Sequence, residues 1–154
     1  MSDEILAEMA IARLQRAYAD TATRKAWTEL SALVTDECRF QFDTSSGEVF
    51  EVVGAEAFGA FAAKTADRFA FWEYVPLNFV VEIDLAGAAR GRTYSFEIDK
   101  DAETGEIVTS WGLYHDDYAR IDGVWLWSRR RYQTLARRKG DDAVESFPLI
   151  ERQP

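Results

Sequence analysis

Residues 107–135 read IVTSWGLYHDDYARIDGVWLWSRRRYQTL. Ile107 to Ile121 is long enough for one extended strand, and Val124 to Leu135 for another. Between them stands Asp122-Gly123. Both central positions of a type I′ turn need positive φ, so this dipeptide between two apolar runs predicts a long antiparallel hairpin. Upstream, Phe79 to Ile83 and Arg90 to Ile98 read as strands joined by a turn at Ala86-Gly87, and Asp99 to Glu106 reads as a polar loop. Long strands begin from about Phe69.

The first half reads differently. Ile11, Leu14, Tyr18 and Ala22 recur at helical spacing, which predicts a helix over 3–22 with Ser2 or Asp3 as its cap. A second helix is expected over 24–34, with Trp27, Leu30 and Val34 on one face. Cys38, Phe40 and Phe42 alternate with Arg39, Gln41 and Asp43, the pattern of a half-buried strand. A turn follows at Thr44-Ser45-Ser46-Gly47, then a short strand over Val49 to Val53. After Gly54 a third helix runs to about Asp67, with Phe58 and Phe61 inward. Helices first and a meander after them define an α+β class: three N-terminal helices on a curved antiparallel sheet that encloses a pocket. Residues 1–135 form the domain, and 136–154 read as a charged, frayed tail whose Phe147, Leu149 and Ile150 could dock on a neighbour.

The 154 residues suit one domain, and 47% hydrophobic with 14% aromatic content suits a packed core. Net charge is -9, which opposes nucleic-acid and anionic-membrane binding. Cys38 and His115 are the sole cysteine and histidine, too few for a zinc or iron site, and no glycine-rich dinucleotide loop is present. We therefore expect no metal and no cofactor. No basic leader precedes the first helix and no apolar run approaches ~20 residues, so a cytoplasmic location is expected.

The run Tyr18-Ala19-Asp20-Thr21-Ala22-Thr23-Arg24-Lys25-Ala26-Trp27 resembles the first helix and turn of the SnoaL-like family in the NTF2-like superfamily. Trp111 to Tyr118 with Ile121 to Trp125 is similar to that family's last hairpin, and Tyr74 and Asn78 fall where members carry His-x-x-x-Asn. The resemblance covers roughly residues 5 to 135 and implies a cone-shaped fold with a central small-molecule pocket. Its nearest enzymes in pattern are similar to scytalone dehydratase and hexachlorocyclohexane dehydrochlorinase, which eliminate without a cofactor using an Asp and a His. Here Thr23 stands at the aspartate position and Tyr74 at the histidine position. Threonine carries no charge to orient a base, and a phenol with a pKa near ~10 is a weak one.

The resemblance leaves several candidates. Tyr74 is either an acid or oxyanion donor or a pocket-lining ring. Asp20 is either a replacement base on the face of Thr23 or a solvated residue near a helix end, and Thr23 itself either lines the pocket or caps the second helix. Family pattern points Tyr114 into the pocket, and strand alternation then turns His115 away. Arg130 shares the parity of Ser128 and Tyr132 and would enter the pocket to hold an oxygen substituent. Asn78 would do likewise, while Tyr18, Phe40, Phe61, Phe69, Trp72 and Ser110 line the wall. Arg129, Arg131 and Arg137-Arg138-Lys139 read as surface ion pairing. Trp72, Trp111, Trp125 and Trp127 serve packing or a wall for a flat ligand.

Three functions fit these residues: a cofactor-independent lyase or isomerase acting on a small apolar, oxygenated or aromatic metabolite; a non-catalytic small-molecule binder; or a structural subunit. A homodimer or homotrimer is expected, on the argument that Trp125 and Trp127 stand on an outer face.

Overall fold

The computed structural model describes residues 2–43, 47–84 and 86–149. Helix α1 spans Asp3–Thr23, and the Ser2 side chain accepts a hydrogen bond from the Ile5 amide at its start. Its buried stripe is Ala7, Ile11, Leu14, Tyr18 and Ala22 at three- and four-residue steps, the spacing that puts side chains on one helix face. Lys25, with φ of 56°, ends the helix. The second expected helix is a short 3-10 turn, Trp27–Ala32, and the chain is already extended by Val34. Ala26 precedes that turn and no side chain caps it, so Thr23 is an exposed last residue of α1 and not a cap.

Strands β1 (Val34–Asp43) and β2 (Val49–Val53) form a hairpin, and α2 (Ala55–Ala66) follows Gly54, whose φ of 85° suits a residue without a Cβ. Part of the turn expected at Thr44 to Gly47 lies outside the described residues. Four long strands complete the sheet: β3 (Phe69–Asp84), β4 (Ala88–Asp101), β5 (Ile107–Ile121) and β6 (Val124–Lys139). Their order is β2-β1-β6-β5-β4-β3. The meander brings β6 alongside β1 in the same direction, so that one pairing is parallel and the sheet is mixed, not wholly antiparallel. The sheet is curved and unclosed, with α1 packed against β3 and β6.

Three expected boundaries move. The stretch from Phe69 to Asp84 is one strand, and β4 runs on to Asp101, through residues expected in a loop. β6 likewise continues to Lys139, and β7 (Glu145–Ser146) pairs with it. The tail is therefore folded back on its own sheet: the Phe147 amide donates to the Leu135 carbonyl at 2.9 Å, and Gln133 Nε2 donates to the Pro148 carbonyl at 3.0 Å. Ile150, expected to dock, lies outside the described residues.

Extra residues decide which side chains face inward. Asp117 pairs with Arg129 but Tyr118 with Trp127, so Ser128 is a bulge, and Arg130 and Trp127 share the inner face despite opposite parity. Trp125 and Trp127 are consequently core residues, 7% and 0% exposed, and supply no outer face for an oligomer. On β3, Pro76 pairs with Ser95 and Asn78 with Tyr94, so Leu77 is the extra residue and Asn78 turns to the outer face, exposed. The core runs between α1, α2 and the concave side, where Phe40 stacks on Phe58 with centroids 3.9 Å apart.

Candidate functional site

The concave face is built in rows across the strands. Strand pairing puts Tyr74, Glu97, Ser110 and Arg137 side by side. The next row toward the open end holds Trp72, Asp99, Val108 and Lys139. A deeper row holds Gly91, Asp116, Arg130 and Phe40. Residues two apart share a face, so Thr93, Ser95, Glu97 and Asp99 all point inward from β4, while Tyr94, Phe96 and Ile98 point outward. This inverts the usual arrangement of a sheet packed on a core. Polar groups line the inside, and the ring of Phe96 packs on that of Trp111 outside.

The deep row is a hydrogen-bonded network in which Arg130 Nη1 and Gln15 Oε1 keep no partner at hydrogen-bonding geometry among the described residues. Arg130 Nε donates to Asp116 Oδ1 at 2.9 Å, with both side chains essentially unexposed. Thr93 Oγ1, Tyr118 OH and Gln15 Nε2 also donate to Asp116, at 2.8, 3.1 and 3.2 Å. The guanidinium lies 4.1 Å from the Tyr114 centroid, 4.2 Å from that of Trp127 and 4.4 Å from that of Tyr18, a cation held over three rings. Asp116 and Tyr118 fall within the hairpin run of residues 107–135, but nothing in that run marks them as partners of Arg130, and the bulge at Ser128 hides the pairing from a parity count.

Above this floor stands the Glu97 carboxyl. Trp72 Nε1 donates to Glu97 Oε2 at 3.3 Å. The residue is partly exposed, yet desolvation by the side chains around it pushes its pKa up to about 7. The Asp99 charge adds to the rise, while the Trp72 bond and the charges of Arg137 and Arg130 oppose it. Asp99 is raised to about 6 by burial, against the pull of Arg137. A carboxyl poised near neutrality can take or give a proton at working pH. The rings around it are Trp72, Tyr74, Tyr114 and Tyr132; Gly112 leaves room for the last, because a Cβ there would overlap the Tyr132 ring. Burial raises the Tyr74 and Tyr114 phenols far above their ordinary value, so both are donors and not bases. The Tyr74 hydroxyl has no partner at strict hydrogen-bonding geometry among the described residues, although Arg130 stands near enough that its charge and a marginal contact pull the phenol pKa partly back.

A cleft of about 360 Å³ opens at the end of these rows, lined by Phe69, Asp99, Val108, Ser110 and Arg137 among others. A larger groove of about 730 Å³ lies on the outer face beside Val80, Arg92 and His115. Asp99 lines the smaller cleft and neither inner carboxyl lines the outer groove, so the cleft marks the mouth of the candidate site, with Glu97 on the row behind it. His115 faces outward, opposite to Tyr114.

The structure brings together Tyr18, Tyr74, Tyr114, Trp72, Ser110 and Arg130 around the inner wall, with Phe69 at the mouth and Phe40 in the floor. Phe61 packs farther off, against Phe42 and Phe50. Three expected residues stand apart. Asp20 is exposed and bound to Arg24 at 2.8 Å, which holds its pKa below the ordinary carboxylate value. Thr23 is exposed at the end of α1, and Asn78 is on the outer face. Glu97 and Asp99 were not expected at the site. The signal was present in the polar alternation Thr93, Ser95, Glu97, Asp99, but a polar face reads as solvent-facing.

A curved open sheet over two helices, with a polar inner wall and a cleft at its open end, defines a cone-shaped α+β fold. The chain belongs to the SnoaL-like domain family, whose model matches residues 3–131. It is similar to a scytalone dehydratase candidate from Novosphingobium aromaticivorans, with 22% identity, a TM-score of 0.78 and all of both chains covered. It is similar to Kfla4162 of Kribbella flavida, with 21% identity, a TM-score of 0.79, and 88% of this chain and 95% of that one covered. It is also similar to a LinA-type3 hexachlorocyclohexane dehydrochlorinase from Novosphingobium barchaimii, with 16% identity, a TM-score of 0.75, and coverage of 99% and 97%. No curated protein matches the sequence. No helix among the described residues is long and apolar enough to cross a membrane.

Proposed function

We propose that the protein is a cofactor-independent lyase or isomerase that acts on a small, largely apolar, oxygenated or aromatic metabolite, with Glu97 as the proton-transfer base. One observation carries this reading: the inner row Tyr74–Glu97–Ser110 sets an enclosed carboxyl between a phenol and a hydroxyl, within a wall of rings. The structural neighbours are described as a dehydratase candidate and a dehydrochlorinase, and both names denote eliminations. The usual Asp–His base is absent, and Asp20 is tied to Arg24 at the surface, so the base has moved to β4.

In this reading Glu97 removes a proton from a carbon beside a polarised group. Tyr74 or Tyr114 donates to the oxygen that gathers charge, and the rings exclude water, which strengthens each contact. The phenols stay protonated throughout because burial holds their pKa values so high. Ser110 and Arg137 stand on the same row toward the cleft and steady a polar substituent there.

The test is deuterium wash-in from heavy water into a panel of aromatic and alicyclic ketones, 2-tetralone among them, followed by proton NMR. Wild type should exchange the activated hydrogens faster than buffer, and Glu97→Gln should return the rate to background. A wild-type rate equal to buffer across the panel, or an undiminished Glu97→Gln rate, refutes the assignment.

A further inference from the structure

We propose that Asp99 is the proton outlet of this site: it receives the proton that Glu97 removes and passes it to solvent in the cleft at the open end, which suits the site to elimination and not to isomerisation. The inference rests on Glu97 being the base.

The geometry is that of two carboxyls in line. Glu97 and Asp99 are two residues apart on the inner face of β4, so roughly 7 Å of strand separates their Cα atoms. Glu97 is the enclosed member, bonded to Trp72 and ringed by tyrosines. Asp99 lines the cleft directly, beside Ser110 and Arg137, and its Oδ1 is without a partner among the described residues. The charged and titratable groups that influence Glu97 are Asp99 from its own strand, Arg130 and Arg137 from β6, and three phenols. Those phenols are Tyr18 from α1, Tyr114 from β5 and Tyr132 from β6, each of whose pKa is raised in part by the Glu97 charge. The phenols are too weakly acidic to carry the proton away, and the two arginines, already protonated, cannot accept it. Asp99 is left as the one neighbour that can. Values of about 7 and about 6 are close enough for the proton to pass in either direction.

An isomerase gains little from such an outlet, because its base returns the proton to another carbon of the same substrate. An elimination differs. The C–H bond breaks, its electron pair becomes the new π bond, and the bond to the leaving group breaks with its pair. The substrate thus yields an alkene, the leaving anion and one proton, and that proton must leave the enclosed carboxyl before the next turnover. No further reactant is needed.

Deuterium wash-in into 2-tetralone and the rest of the panel tests this with Asp99→Asn. The variant should bind the ketones as wild type does, yet exchange on the order of 10²-fold more slowly. Added formate or acetate, small enough to enter the cleft, should restore the rate in proportion to concentration. The same buffers should leave Glu97→Gln inactive. An Asp99→Asn protein that exchanges at the wild-type rate, or that is slow without any response to buffer, overturns the outlet while the base stands. If wild type itself fails to exchange, the base reading falls, and carbon-13 titration of the Glu97 carboxyl decides on the pair alone. A Glu97 midpoint that drops in Asp99→Asn keeps a proton-sharing pair, and an unmoved midpoint removes it.

Discussion

Asp116→Leu should be among the most destabilising single substitutions in this chain. Asp116 is 0% exposed and accepts from Arg130, Thr93, Tyr118 and Gln15. Its removal leaves the Arg130 guanidinium, 2% exposed, without its counter-charge inside a cage of rings. Breaking one partner of a buried pair costs about 3–5 kcal/mol. The hydroxyls of Thr93 and Tyr118 and the Gln15 amide lose an acceptor as well, which sets the expectation at the upper end of that range. Total stability of a domain is about 5–15 kcal/mol, so much of it would go. With a urea slope of about 2 kcal/mol per molar, a 4 kcal/mol loss moves the midpoint down by about 2 M. The assay is urea unfolding followed by tryptophan fluorescence, because Trp127 lies under the Arg130 guanidinium and against the tilted ring of Tyr118. The double variant Asp116→Leu with Arg130→Met separates pairing from packing. It should recover most of the loss, since an apolar replacement of a buried pair is often neutral or better. A single variant that loses less than about 1 kcal/mol, or a double variant no more stable than the single, would refute the account of this network.

Other outcomes follow from the same geometry. Tyr74→Phe should shift stability by about 1 kcal/mol or less, since the hydroxyl lacks a partner among the described residues, yet lower ketone exchange on the order of 10²-fold. Asp20→Asn should leave exchange unchanged, because Asp20 lies at the surface with Arg24. The folded pKa of Glu97 is raised to about 7 from an ordinary 4.5, so its contribution is fully present below pH 4.5 and lost as pH rises through 7. That loss is on the order of 3 kcal/mol by linkage, and a Glu97→Gln protein should show a flatter stability–pH curve over this interval in urea titrations. Gly112→Ala should displace the Tyr132 ring and cost about 1–3 kcal/mol, visible in unfolding midpoints and near-ultraviolet circular dichroism.

The fold was legible because its signals are local and redundant. The Asp122-Gly123 hairpin has the expected positive φ values, 49° and 84°. The α1 stripe of Ile11, Leu14, Tyr18 and Ala22 is buried as its spacing predicts. The site was less legible because inward direction depends on a count of residues along each strand, and that count is broken by bulges. One extra residue at Leu77 turns Asn78 outward, and one at Ser128 turns Trp125 and Trp127 inward. At Ser128 no glycine or proline announces the bulge, whereas Pro76 beside Leu77 is a residue that sheets tolerate at edges and bulges. Asp99 was missed for another reason. A run from Asp99 to Glu106 with five charged residues reads as loop, yet its first three residues are strand, held by the pairing of Asp99 with Trp72 and Val108.

Two inner carboxyls, Asp116 and Glu97, sit one behind the other on the same concave wall, and their surroundings assign them different work. Asp116 is occupied: a guanidinium, two hydroxyls and an amide point at its two oxygens. A carboxylate so fully engaged has little left to offer a substrate, and giving up its charge would strand Arg130 in the core. It therefore serves the floor of the cone, fixing Arg130 and through it the rings of Tyr18, Tyr114 and Trp127. Glu97 is the reverse case, with one indole donor, a hydrophobic setting and a second carboxyl beside it. Its charge is poorly supported, and that poor support is what lets the proton come and go near neutral pH. Arg130 is not a base either, because its guanidinium is paired with Asp116. On the proposed reading, the chemistry falls to the row above, where Tyr74, Glu97 and Ser110 lie between the floor and the cleft.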